Sequence, residues 1–304
     1  MKIGIVGAGA MGRLFGAHLI AAGRDVTMID ASGAVLDDIR QHGINVDMGT
    51  YQFHVRAAAS KAADVLEHLD IVMVFTKGFH TEAALQSVRH VLTPDSIGIS
   101  LQNGIGNDEP LIRIFGYERT VLGMTDFPSD LKANGTVVSE ATGRVVLGAL
   151  HEGGQDSAHL MRRILNESKM HTTYAPDIMI PIWEKVIFNT VYNTVSAATG
   201  LTVGEVFDRP EAAEIATLVL SESLEVVRNA GVEIDEDRLQ SNIENAHKHH
   251  SQHKTSMLID LEAGRKTEIE TIGGAVERVG KTKGVATPTL SVLCNMVRLR
   301  ERTA

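Results

Sequence analysis

Lys185, Asn189 and Asn193 recur every four residues in Trp183-Glu184-Lys185-Val186-Ile187-Phe188-Asn189-Thr190-Val191-Tyr192-Asn193. On an α-helix, positions i, i+4 and i+8 share a face, because one turn takes about 3.6 residues. Val186, Ile187, Phe188 and Val191 surround the stripe, so these polar groups ride on an otherwise apolar helix. A lysine buried there has its pKa lowered and suits proton donation to a carbonyl oxygen. A solvated stripe is the bland alternative and the commoner fate of Lys and Asn. Two asparagines in register with the lysine favour function.

A second constellation opens the chain. Gly7-Ala8-Gly9-Ala10-Met11-Gly12 matches G-x-G-x-x-G, follows an apolar run and precedes a helical pattern. In that setting Gly7 permits a tight turn, Gly9 lets the backbone approach a pyrophosphate, and Gly12 allows helix and strand to pack closely. The helix N-terminus then offers unsatisfied N–H groups to the phosphates. Asp30 lies 23 residues beyond Gly7. An acid there accepts from both ribose hydroxyls of NAD and repels the 2′-phosphate of NADP. No Arg or Lys follows in residues 31–36 to receive that phosphate, so NAD(H) is favoured, with NADP(H) admitted if a basic residue arrives from elsewhere. Asp30 could instead cap the following helix, although Ser32 can do that job. Lys77 and Asn103 end two later strand patterns, where open α/β sheets face their ligands. Asn103-Gly104 could equally be a plain turn.

These residues need a scaffold. Residues 2–6, 25–29, 71–76 and 96–101 read as strands, with residues 10–22 and later segments as helices between them, which implies βαβ units and a parallel sheet. Residues 136–139 and 144–147, around Ala141-Thr142-Gly143, read as a hairpin completing the sheet edge. Beyond Tyr174 strand signals vanish. Residues 183–198, 209–230, 255–263 and 268–284 show helical periodicity, with Gly200, Gly231, Gly264 and Gly284 at the expected C-caps. The expected fold class is α/β: an N-terminal Rossmann-type dinucleotide-binding domain over residues 1–174 and an all-helical substrate-binding and catalytic domain over residues 175–304. Within the latter, local rules make Ser256 an N-terminal capping residue and Glu268 an ordinary helix acid.

Composition excludes several classes of function. A net charge of −9 repels phosphate backbones, which argues against nucleic acid as a partner. No apolar run approaches the roughly 20 residues that span a bilayer, so no membrane role is expected. The lone Cys294 and the absence of a signal peptide before the glycine-rich turn point to the cytoplasm. His247, His249, His250 and His253 invite a metal reading, but no cysteine or acidic shell accompanies them, and no metal is expected.

Taken together, the ordered set resembles the ketopantoate reductase (2-dehydropantoate 2-reductase) family and its D-2-hydroxyacid dehydrogenase relatives. The likeness runs over nearly the full length. It rests on Gly7 through Gly12, Asn103-Gly104, the Lys185, Asn189 and Asn193 helix, Ser256-Met257-Leu258 leading to Thr267-Glu268-Ile269, and Gly273-Gly274 through Pro288. The resemblance implies that Lys185 is the general acid and that Glu268 holds and polarises the same substrate end. It implies that Ser256 binds the substrate carboxylate, while Asn189 and Asn193 orient substrate and Lys185. Asn103 would support Lys185 from the nucleotide domain, and Lys77 would lie near the cofactor ribose and substrate. The reaction would take place in a cleft between the two domains.

The implied activity is NAD(P)H-dependent reduction of a 2-keto acid to a D-2-hydroxy acid, with 2-dehydropantoate to D-pantoate, a step of pantothenate biosynthesis, as the leading assignment. Some relatives with an acid where this chain has Asp30 use NAD and reduce branched-chain or aromatic 2-keto acids to D-2-hydroxy acids, as D-mandelate dehydrogenases do. A dinucleotide-sensing protein without catalysis is the third reading, and it predicts loss of the Lys185 and Glu268 pair that this sequence retains. The small 2-keto acid is the expected partner, with a homodimer left open.

Overall fold

The computed structural model describes residues 1–303. They form two compact units, residues 1–102 with 107–178, and residues 103–106 with the described residues from 179 onward.

The first unit is built on an eight-stranded sheet. From one edge its strands run Ala58–Ser60, Asp25–Ile29, Lys2–Val6, Leu69–Val74, Leu92–Ser100, Thr120–Thr125, Val145–Ala149 and Thr172–Tyr174. The first six are mutually parallel and, in chain order, read 3-2-1-4-5-6, the doubly wound arrangement. Ile5, Met28, Ile71, Met73 and Ile99 are fully buried, as strands covered on both faces require. The chain order reverses between Lys2–Val6 and Leu69–Val74. Ligands of such sheets bind beyond the strand carboxyl ends at that point, where Gly7 and the residues after Val74 lie.

The expected hairpin does not form. Thr136–Val138 joins a separate four-stranded sheet with Asp130–Leu131, Ile44–Asp47 and Gln52–Val55, whereas Val145–Ala149 pairs antiparallel with Thr120–Thr125. Val137 is buried with Ile44 and Val46, and the chain crosses to the larger sheet where Arg144 is held by the Asp126 carboxylate at 2.9 Å. Two strand-like runs around a turn thus serve different sheets, a choice local alternation does not encode.

The second unit is helical, with no strand among its described residues. Its elements are Met179–Asn189, a π-turn over Thr190–Thr194, Val195–Thr199, Val203–Asp208, Pro210–Ala230, Glu236–His249, Ser256–Glu262, Gly273–Lys283 and Pro288–Thr303. Gly200, Gly231 and Gly284 end helices in the left-handed conformation, as expected. The core gathers Val191, Tyr192, Val195, Val219, Val226, Val276, Leu290 and Val297. Among the described residues no helix is long and apolar enough to cross a membrane.

Candidate active site

The three motif glycines do three different things. Gly7 has φ +100°, and a Cβ there would lie 2.7 Å from the Thr76 amide nitrogen. At Gly12 a Cβ would lie 1.9 Å from the Gly7 carbonyl oxygen, so helix Ala10–Ala21 can pack this closely only on glycine. Gly9 is the opposite case: a Cβ meets nothing within 4 Å. No side chain caps this helix and its first turn carries no acid. An anionic pyrophosphate would find free N–H groups and the positive end of the dipole there, so these residues fit a dinucleotide.

Asp30 reaches back to the same turn. Its Oδ2 accepts the Ala8 N–H at 2.7 Å and its Oδ1 the Ser32 N–H at 2.9 Å. Ser32, not Asp30, caps helix Gly33–His42 by accepting the Val35 N–H. Each carboxylate oxygen keeps a further acceptor site for a hydroxyl. Arg13, 2% exposed, holds the other side of residue 8: its Nε donates to the Ala8 carbonyl at 3.1 Å and its Nη1 to Asp38 at 2.6 Å. That guanidinium keeps the Asp38 carboxyl below the usual carboxylate range. Lys77 follows Thr76 and precedes the 3-10 turn Gly78–His80, half-buried beside the Gly7 turn.

In the helical unit the polar residues spaced four apart do not lie on one α-helix. Lys185 and Asn189 lie on Met179–Asn189, and Asn193 lies within the π-turn. Four α-helical residues overshoot a full turn by about 40°, so Asn193 would stand about 80° around from Lys185. A π-turn is wider by roughly one residue and cancels most of the second overshoot. The insertion therefore returns Asn193 towards the azimuth of Lys185. Asn193 is 5% exposed.

Three expectations about the remaining residues need correcting. Glu268 is not on a helix: it lies in a turn before Gly273–Lys283, 8% exposed, its carbonyl accepting the Thr271 and Ile272 N–H groups at 3.1 Å each. Helix starts at Gly273, whose backbone approaches Thr194 of the π-turn; a Cβ there would be 2.7 Å from Thr194 Cγ2. Ser256 is not the cap of its helix. Thr255 accepts the Leu258 N–H, which leaves Ser256 exposed as the first helical residue. Asn103, expected on the nucleotide domain, groups with the helical unit. The adjacent Ile105 N–H donates to the Thr271 carbonyl at 2.9 Å, and Gly104 at φ +96° is pressed against Thr271, so the Asn103 loop is seated on the Glu268 turn.

Comparison with known proteins decides the family. Residues 3–152 match the family model described as Ketopantoate reductase PanE/ApbA, and residues 177–301 match Ketopantoate reductase PanE/ApbA C terminal. The 2-dehydropantoate 2-reductase of Archaeoglobus fulgidus is 31% identical over 98% of this chain and 97% of its own length. The chain belongs to the ketopantoate reductase family. A Streptococcus pyogenes 2-dehydropantoate 2-reductase is 25% identical over 99% of this chain and 98% of its own. The ternary structure of D-mandelate dehydrogenase with NADH and anilino(oxo)acetate superposes with TM-score 0.93 at 27% identity, covering 100% of this chain and 99% of that one. The protein is thus an NAD(P)-dependent oxidoreductase acting on CH–OH groups.

Two side chains that sequence reading passed over position the ketopantoate reductase motif residues. The Gln102 carboxamide donates to the Thr76 carbonyl at 2.6 Å and to the Thr81 hydroxyl at 2.8 Å while accepting the Ser100 hydroxyl, fixing the segment that carries Lys77. A Ser-x-Gln at a strand's carboxyl end was its only signal. Tyr192, buried inside the π-turn, donates its hydroxyl to the Ile243 carbonyl at 2.7 Å; nothing local announces that partner. Of the histidines, His247 pairs with Asp208 at 2.9 Å, and no group of three His, Cys, Asp or Glu gathers to hold a metal among the described residues.

Proposed function

We propose that this protein reduces a 2-keto acid to its D-2-hydroxy acid, with 2-dehydropantoate as the first substrate to assign. Asn193 carries the reading: a buried carboxamide returned by a π-turn towards the azimuth of Lys185 suits a small polar substrate. Residues 1–102 with 107–178 bind the dinucleotide, and the helical unit supplies the catalytic side chains.

A bound dihydronicotinamide supplies the hydride. Lys185 donates a proton from Nζ to the ketone oxygen as negative charge develops there, so one hydride and one proton turn C=O into CH–OH. Glu268 holds and polarises that end of the substrate. The Ser256 hydroxyl binds the carboxylate, Asn189 and Asn193 orient substrate and lysine, and Asn103 supports the lysine.

NADH is the preferred cofactor. Asp30 has no cation against it among the described residues, and the neighbouring Arg13 is committed to Asp38. A 2′-phosphate would therefore meet an uncompensated carboxylate. This favours a second reading, an NAD-dependent D-2-hydroxyacid dehydrogenase for branched-chain or aromatic 2-keto acids. The likeness to D-mandelate dehydrogenase, described with NADH, supports it.

Steady-state kinetics with ketopantoate, 2-ketoisocaproate and phenylglyoxylate, each against NADH and NADPH, tests both readings. Highest kcat/KM with ketopantoate supports the first, and with either other acid the second. Turnover of none of the three overturns both.

A further inference from the structure

The turn that bears Glu268 is tied down chiefly by the last helix, Pro288–Thr303. Glu301, near the end of helix Pro288–Thr303, accepts both the Thr267 N–H at 2.7 Å and the Thr267 hydroxyl at 2.6 Å through one carboxylate oxygen. The Thr267 hydroxyl in turn accepts the Ile269 N–H at 3.1 Å, so the backbone is held on both sides of Glu268. Thr267 is 1% exposed. One helical turn earlier, Arg298 binds the Glu270 carboxylate at 2.7 Å and Glu277 at 3.2 Å, and Arg278 donates to the Glu270 carbonyl at 2.8 Å. At the helix's other end, the Glu222 carboxylate accepts the Thr289 and Leu290 N–H groups at 2.9 Å each. The helix is anchored at its N-terminus by one carboxylate and clamps the turn with another.

We infer that Glu301, acting through Thr267, is a positioning residue for Glu268. The inference rests on the role proposed for Glu268. A charge-assisted acceptor taking two bonds is a stiff restraint, and small misplacement of a catalytic group far from the mutated site lowers kcat steeply. Either oxygen-bearing head group can accept both bonds, so Glu301→Gln should keep the clamp while Glu301→Ala removes it.

The test uses full-length protein, NADH and whichever of the three keto acids the wild type reduces best. Glu301→Ala should lower kcat about tenfold to a hundredfold, with the KM for NADH unchanged. Glu301→Gln should restore most of the loss, and Thr267→Ser should retain activity where Thr267→Val does not. Circular dichroism and NADH titration establish that each variant is folded, and Thr267→Val against Thr267→Ser answers the question if Glu301→Ala is not. Glu268→Ala is measured alongside. If it is inactive while Glu301→Ala turns over normally, or if Glu301→Gln is as slow as Glu301→Ala, the clamp is overturned and Glu268 keeps its role. If Glu268→Ala is itself fully active, the catalytic reading of Glu268 falls, and the clamp with it.

Discussion

Replacing Gly9 by valine and Gly12 by alanine should separate cofactor binding from stability within a single turn. At Gly9 the backbone is extended, with φ −73° and ψ −164°, and a Cβ meets nothing within 4 Å. Valine there should cost under about 1 kcal/mol, mostly as a poorer helix cap. Its branches would occupy the space through which a pyrophosphate reaches the helix N-terminus. Losing two charge-assisted hydrogen bonds at about 1.5–3 kcal/mol each weakens NADH binding by about 3–6 kcal/mol, roughly a hundredfold to ten-thousandfold in Kd. Gly12→Ala is the converse. A Cβ 1.9 Å from the Gly7 carbonyl oxygen is far inside the 3.4 Å of ordinary contact, and both sides of the clash are backbone. Overpacking of that kind costs about 1–3 kcal/mol or more. Calorimetric titration with NADH and thermal melts by circular dichroism measure the two quantities. Undiminished NADH binding by Gly9→Val would put the dinucleotide elsewhere, and a wild-type melt for Gly12→Ala would refute the packing.

Asp30→Ala should narrow the preference for NADH over NADPH, and should also weaken NADH itself, because the Ala8 N–H loses its acceptor; a tenfold wild-type preference for NADPH, about 1.4 kcal/mol, would contradict the assignment. Lys185→Ala should lower kcat by about two orders of magnitude or more with NADH affinity intact, whereas Ser256→Ala should chiefly raise KM for the keto acid; a near-normal kcat would move the acid to another residue, Lys77 first. Thr190→Val should raise stability by about 1 kcal/mol, since the buried Thr190 hydroxyl has no partner and its removal spares a desolvation cost; a lower Tm would show the hydroxyl to be satisfied in solution. His18 is buried against the Ser168 carbonyl and its pKa is lowered, chiefly by desolvation. The unfolded chain therefore binds a proton first as pH falls, and stability should be lost below about pH 6.5. Urea titrations of wild type and His18→Gln should show the wild type's advantage shrinking from pH 8 to pH 5, and a constant gap would refute it.

What was legible in the sequence was what local stereochemistry dictates. Gly7, Gly9 and Gly12 announce themselves because their spacing is a local motif, and the strand before them and the helix after them follow from period alone. Ser32 could be named as the alternative to Asp30 at the helix cap because capping is equally local. The failures share the opposite property. Whether Thr136–Val138 pairs with Ile44–Asp47 or with its neighbour Val145–Ala149 depends on partners 91 residues away in the chain for one strand and 20 to 28 for the other. Helical periodicity extends smoothly into Glu268, whereas the helix begins at Gly273, against Thr194 of the π-turn. The π-turn is the sharpest case. Residues 183–198 read as uninterrupted α-helix, and the four-residue spacing of the polar stripe was the clue to function. Yet a strict α-helix would fan Lys185 and Asn193 apart. The alignment on which the role proposed for the stripe rests comes from an interruption of the helix, held by the Tyr192 bond to Ile243 and carrying an orphaned Thr190 hydroxyl. A costly local irregularity kept within a buried helix is itself a pointer to function. Here it covers Thr190–Thr194, directly after Asn189 and including Asn193.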